Sequence, residues 1–158
     1  MFRLFLSAVI INFIFSSTYF VNLSFALTPQ EMDAEYEKAE EAKKNKNWAL
    51  AKDIVTPLAK SGHAKSQTRL GGIYLYGPGG VPKDFKKAFK WLKLGAEQDH
   101  ASAQVLLGEM YYEGKGVPQD YKEAMKWFKL AADQGLSNAQ NNLGSSYFNG
   151  KGVEQNYK

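Results

Sequence analysis

The sequence predicts an all-α fold, a solenoid of stacked antiparallel helix pairs. Two observations carry that prediction. A pattern of 36 to 37 residues recurs along the chain. Within each copy, apolar residues fall at helical 3–4 spacing between capping residues and Gly/Pro-rich links. A period of this size is one helical hairpin. It cannot bury its own apolar face, so successive copies must stack on one another.

The elements follow in order. Residues 1–26 read as a secretory signal peptide: Arg3 supplies a positive start, an apolar run extends from Leu4 to Phe15, and Ser24 and Ala26 are small residues at the −3 and −1 positions of a cleavage site. An uncleaved anchor helix fits less well, because Ser16, Ser17, Thr18 and Asn22 dilute the apolar run and a span wants about 20 mainly apolar residues. Cleavage after Ala26 leaves 132 residues and lowers the net charge from +4 to +3, with no cysteine to staple or ligate anything. The mature chain is therefore expected to be exported, periplasmic or secreted, with no stable membrane span, and to be held by helix packing alone.

Residues 27–62 form an N-terminal capping pair. Thr28, Pro29 and Glu31 make a strong helix start, and Met32, Tyr36, Ala39 and Lys43 follow at helical spacing. Asn47 caps a second helix with Trp48, Ala51, Ile54, Val55 and Leu58 on one face and a bend expected at Pro57. The repeats occupy 63–99, 100–135 and, in part, 136–158. Their helices are expected over 64–76, 84–98, 101–113 and 120–134, then from Ser137, with capping boxes at Asp120/Glu123 and Ser137/Gln140. The link between Tyr76 and Asp84 holds one more residue than the link between Glu113 and Asp120, which accounts for 37 against 36.

The repeated positions are Gln67, Leu70, Gly71, Tyr74, Ala88 and Trp91 in the first copy; Gln104, Leu107, Gly108, Tyr111, Ala124 and Trp127 in the second; and Gln140, Leu143, Gly144 and Tyr147 in the third. Leucine, tyrosine and tryptophan at one phase are core by periodicity. A helical glycine costs about 1 kcal/mol against alanine, so its recurrence at one phase marks a close approach of two backbones.

The motif A-x-A-Q-x-x-L-G-x-x-Y-x-x-G-x-G-V-P-x-D-Y-x-x-A-x-x-W-x-x-x-A-A-x-Q-G, nearly complete over 101–135, good over 64–99 and half present over 137–158, resembles the Sel-1-like repeat family, a relative of the tetratricopeptide repeats. Departures fall at Pro78, Gly95, Asp99 and Glu154. The resemblance implies an α/α right-handed superhelical solenoid used as a scaffold for protein complexes, often exported from bacteria. The third copy reaches only Asn156, Tyr157 and Lys158, where its second helix begins. The last ten or so residues are therefore expected to be poorly ordered, leaving an apolar face that favours self-association.

Several chemistries fail on spacing. Gly108 and the pair Gly114–Lys115 have five residues between them, one too many for a phosphate loop, and a helix rather than a strand precedes them. His63 and His100 stand one repeat apart, too far to share a metal. Some disulfide-rich relatives are associated with penicillin binding or β-lactam hydrolysis, but this chain lacks their cysteines and contains no S-x-x-K. No catalytic residue, cofactor or metal is expected, and with Arg69 as the single arginine of the mature chain, no nucleic acid.

Two binding surfaces remain. In such superhelices the first helices line the concave wall, which makes Thr68, Gly72 and Leu75, then Val105, Glu109 and Tyr112, then Asn141, Ser145 and Phe148, candidates for gripping a protein or peptide partner. The competing reading is that this column packs between repeats. Lys86, Lys90, Lys93, Lys122, Lys126 and Lys129 line the second helices and offer an alternative contact with an anionic cell-wall polymer.

Overall fold

The structure is a computed structural model that describes residues 27–152; residues 1–26, read above as a signal peptide, and residues 153–158, in the tail expected to be poorly ordered, lie outside the described residues. Seven α-helices follow one another: α1 Pro29–Lys44, α2 Trp48–Lys60, α3 Ala64–Tyr76, α4 Phe85–Ala96, α5 Ala101–Glu113, α6 Tyr121–Asp133 and α7 Ser137–Phe148. A short 3₁₀ turn, Pro78–Gly80, takes up the extra residue of the first link. Each helix packs on its chain neighbours, and α3 makes only a thin direct contact with α5. This is the one-dimensional stacking that the period predicts. Among the described residues no helix is long and apolar enough to cross a membrane.

Local chemistry sets the helix ends. The Thr28 hydroxyl accepts from the Glu31 amide while the Glu31 carboxylate accepts from the Thr28 amide, a reciprocal cap. Asn47, Asp84 and Asp120 cap α2, α4 and α6 by accepting the amides of Leu50, Lys87 and Glu123. Two expectations need correction. The Glu123 side chain pairs with Lys126 at 2.6 Å instead of closing a box with Asp120. The residue before α7 is Leu136, which has no hydrogen-bonding side chain, so Ser137 opens the helix rather than capping it. Pro57 lies within α2, which continues to Lys60. Gly77 and Gly114 terminate α3 and α5 in the left-handed conformation at φ 63° and 69°.

The core runs as a string of inter-helix clusters. Leu75, Ala88, Leu92, Ala96, Ala103, Leu107 and Met110 join α3, α4 and α5. Ala39, Val55, Ala59, Leu70 and Ile73 join α1, α2 and α3, and Val105, Ala131 and Ala139 tie α5 and α6 to α7. Leu70, Leu107, Ala88, Ala124, Gly71 and Gly108 are buried as predicted. Tyr74, Tyr111, Trp91 and Trp127 are half-buried at its margin. A Cβ at Gly71 would sit 2.6 Å from the Leu92 side chain, and one at Gly108 2.5 Å from the Phe128 ring. Those two glycines are the close-approach points that periodicity implied.

The repeated glutamines bolt one pair to the next. Gln67 donates to the Ala59 carbonyl at 3.2 Å and accepts from Gln98 at 2.6 Å. One repeat later, Gln104 donates to the Ala96 carbonyl at 3.3 Å and accepts from Gln134 at 2.9 Å. Each buried amide thereby satisfies a carbonyl at the end of the preceding helix.

The third copy departs from expectation. Leu143 is half-buried, while Gly144 and Tyr147 are exposed, Tyr147 by 60%. Nothing lies within 4 Å of a Cβ built on Gly144. Among the described residues α7 packs mainly on α6, with a thin contact to α5 where Asn142 meets Glu109, so the residues that are core in α3 and α5 have no following helix to meet.

Candidate partner-binding groove

The exposed face of the first helices shares Gly72, Glu109 and Ser145 with the column expected and is elsewhere displaced from it by one residue. On α3 the outward positions are Lys65, Arg69, Gly72 and Tyr76; their phase-mates on α5 are Ser102, Leu106, Glu109 and Glu113, and on α7 Asn138, Asn142, Ser145 and Asn149. One residue turns a helix by about 100°, and that step separates wall from seam. Leu75 and Val105 are buried at 5% and 1% exposure between repeats and line neither cavity, whereas Thr68, at 8% exposure, still lines the larger cleft described below. Thr68 spends its hydroxyl on the Ala64 carbonyl and on His100 Nδ1 at 3.0 Å. A Cβ on Gly95 would lie 2.9 Å from that hydroxyl, so glycine at this departure from the motif is what lets Thr68 close the seam.

Of the remaining expected residues, Glu109, Tyr112 and Ser145 come together in a cavity of about 210 Å³, completed by Glu113, Phe128 and Asn142. Asn141 is exposed and lines neither cavity described here, and Phe148 is 91% exposed at the open end. Asn142, rather than Asn141, carries the column onto α7.

A larger cleft of about 480 Å³ lies beside it, with Tyr36, Trp48, Arg69, Ile73, Tyr76 and Leu106 among its walls. It spans α1, α3 and α5, so three successive first helices build one trough. Trp48 reaches the cleft because a side chain at Gly79 would strike its ring at 2.6 Å. The extra residue of the first link thus shapes this wall. Nothing in the repeat pattern marks Trp48, Arg69 or Leu106; only the exposed phase of α3 and α5 could have found the last two.

The polar groups of the cleft are mostly paired. Arg69 donates to Glu40 and, at 3.3 Å, to the Tyr36 hydroxyl, while its Nε is buried without a partner. Lys65 meets Asp33 at 2.7 Å, and His63 Nε2 lies 3.3 Å from the same carboxylate oxygen. Burial pushes Glu40 up, but hydrogen bonds from Lys43, Tyr36 and Arg69 hold it below the usual carboxylate range. Burial, with Lys65 and His63 nearby, holds His100 below the usual imidazole range. His63 and His100 occupy the positions just before α3 and α5.

Glu109 is different. Burial pushes its carboxyl above the usual range, Glu113 adds to that, and the Asn142 amide and Lys115 oppose it. Tyr76, which lines the larger cleft, is raised by burial and then by Glu109 and Glu113, so the two cavities share one electrostatic environment across that ring.

The profile of the Sel1 repeat matches residues 64–100, 101–136 and 137–158. Among solved structures, the chain is similar to a protective antigen of uropathogenic Escherichia coli displaying an SLR fold, at TM-score 0.74 and 35% identity over 80% of this chain and 28% of that one. It is similar to a Sel1 repeat protein from Oxalobacter formigenes at TM-score 0.73 and 33% identity, over 80% of this chain and 52% of that one. Helicobacter pylori cysteine rich protein B, at TM-score 0.57 and 19% identity over 74% of this chain and 98% of that one, shares the fold. The chain thus spans 28% and 52% of the first two structures' lengths. No curated protein matches it.

Proposed function

The chain belongs to the Sel1 repeat family, whose members are generally protein-interaction scaffolds, and we propose that it is a non-enzymatic scaffold holding a protein or peptide partner in the groove built by α1, α3 and α5. The observation that carries this reading is the continuous trough of about 480 Å³ that runs across three first helices and presents aromatic and aliphatic walls to solvent. The stacked repeats preform that trough, so a partner binds without ordering the protein first. Export to the bacterial envelope or the secreted space follows from residues 1–26, whose charge, apolar run and small-residue site support a cleaved leader.

A photo-crosslinking amino acid at Leu106 in intact cells tests the groove against the same probe at Lys129. Adducts from the Leu106 position alone support the reading; adducts from Lys129 alone favour the second one. That second reading is a cell-wall polymer on the convex face, where Lys86, Lys90, Lys93, Lys122, Lys126 and Lys129 are all exposed. Glu97 and Glu123 already pair with Lys93 and Lys126, which thins the field. Hydrolysis of a chromogenic β-lactam by the pure protein would overturn the non-enzymatic part.

A further inference from the structure

The two ends of the groove differ in how their charges are matched. At the N-terminal end every cation has its counter-ion: Lys65 has Asp33, and Arg69 has Glu40. At the other end Glu113 pairs with Lys115 at 2.5 Å, but Glu109 pairs with no cation among the described residues although it is largely withdrawn from solvent. A carboxylate taken out of water with only the Asn142 amide bonded to it is costly, and an incoming cation would relieve that cost. The cavity beside it has room for a side-chain head group, at about 210 Å³. Its wall includes the Tyr112 ring, and this fold already seats a cation on that ring. The Lys151 ammonium lies 5.1 Å from the Tyr112 centroid and 4.8 Å from that of Tyr121, without forming an ion pair to Glu109. Next to this cavity, Tyr36, Trp48, Ile73 and Leu106 give the larger cleft an apolar floor with no free charge.

We propose that the groove takes an extended peptide that places a lysine or arginine side chain in the cavity at Glu109 and a large apolar side chain in the adjoining cleft at Trp48 and Leu106. The proposal rests on the groove reading above and names the chemistry of its partner. The Glu109 carboxylate selects the basic residue, and the apolar cleft adds the contact area that one ion pair lacks.

Selection of displayed random heptapeptides against the folded protein tests this directly. Lysine and arginine should be enriched several-fold over the naive library at one position, with an aromatic or aliphatic residue enriched nearby. Glu109→Gln should abolish the basic preference and leave the apolar one, and Glu109→Lys should replace it with aspartate and glutamate. Unchanged circular dichroism of both variants keeps the comparison fair. Peptides that bind and are lost on Leu106→Arg, yet show no basic preference or keep it in Glu109→Gln, overturn the inference and leave the groove reading standing. If no peptide depends on Leu106, both fall.

Discussion

Helices α5 and α7 carry the same residues at the same phase and meet different fates. Leu107 is fully buried, and Leu143 is half-exposed. Gly108 lies under Phe128, and Gly144 has nothing within 4 Å. Gln104 is buried and bonded at both ends of its amide, whereas Gln140 is exposed. Both helices have similar length and both lack a side-chain cap. The difference is that α5 lies between α4 and α6, while among the described residues α7 packs mainly on α6 and no helix follows it. The repeat motif therefore encodes a readiness to be buried, and the following helix cashes it in. Residues that look alike in the sequence contribute stability only where a second helix arrives to exclude water.

Substitutions sharpen this contrast, and chemical denaturation of paired variants measures it. The largest gap is expected for Leu107→Ala against Leu143→Ala: the first should cost about 2–5 kcal/mol by leaving a cavity, the second well under half of that. Equal losses would break the comparison. Glycine comes next and reverses sign. Gly108→Ala should cost about 1–3 kcal/mol, because its Cβ must displace a Phe128 ring that is only 2% exposed. Gly144→Ala should gain about 0.5–1 kcal/mol, since an open helical site rewards alanine. Gln104→Ala should then cost about 1–3 kcal/mol by stranding the Ala96 carbonyl, with Gln140→Ala within about 0.5 kcal/mol of zero.

Glu109 provides a pH-dependent test. Its carboxyl is harder to ionise folded than unfolded, so its favourable contribution is full below the ordinary carboxylate range and is lost as pH rises through the raised value. Glu109→Gln should therefore be more stable than the parent at neutral pH, and melting curves taken across the acid range should converge as the parent's carboxyl protonates. The smallest effect belongs to Phe148→Ala, expected within about 0.5 kcal/mol because the ring is 91% in solvent.

Much of the architecture was legible in the residues. Thr28, Asn47 and Asp120 announced helix starts because a cap is a contact between residues two or three apart, and the Gly/Pro-rich links announced ends because the left-handed turns at Gly77 and Gly114 are local. The 3–4 spacing that selected Leu70, Leu107, Trp91 and Trp127 is likewise written along one helix. Half of the candidate column was misplaced for an equally definite reason. Thr68 and Arg69, or Leu75 and Tyr76, stand on either side of the same apolar stripe, and intrinsic pattern treats both flanks as half-polar.

What the sequence determined by itself was the unit: its period, its helix boundaries and the stripe that faces its partner helix, all set by contacts within a few residues. Only the tertiary structure decided which flank of that stripe became seam and which became wall. That choice depends on how one hairpin is rotated against the next, a relation among residues about 36 apart that no single helix contains. The rotation buried Leu75 and Val105 and turned Arg69, Leu106 and Glu109 toward the groove.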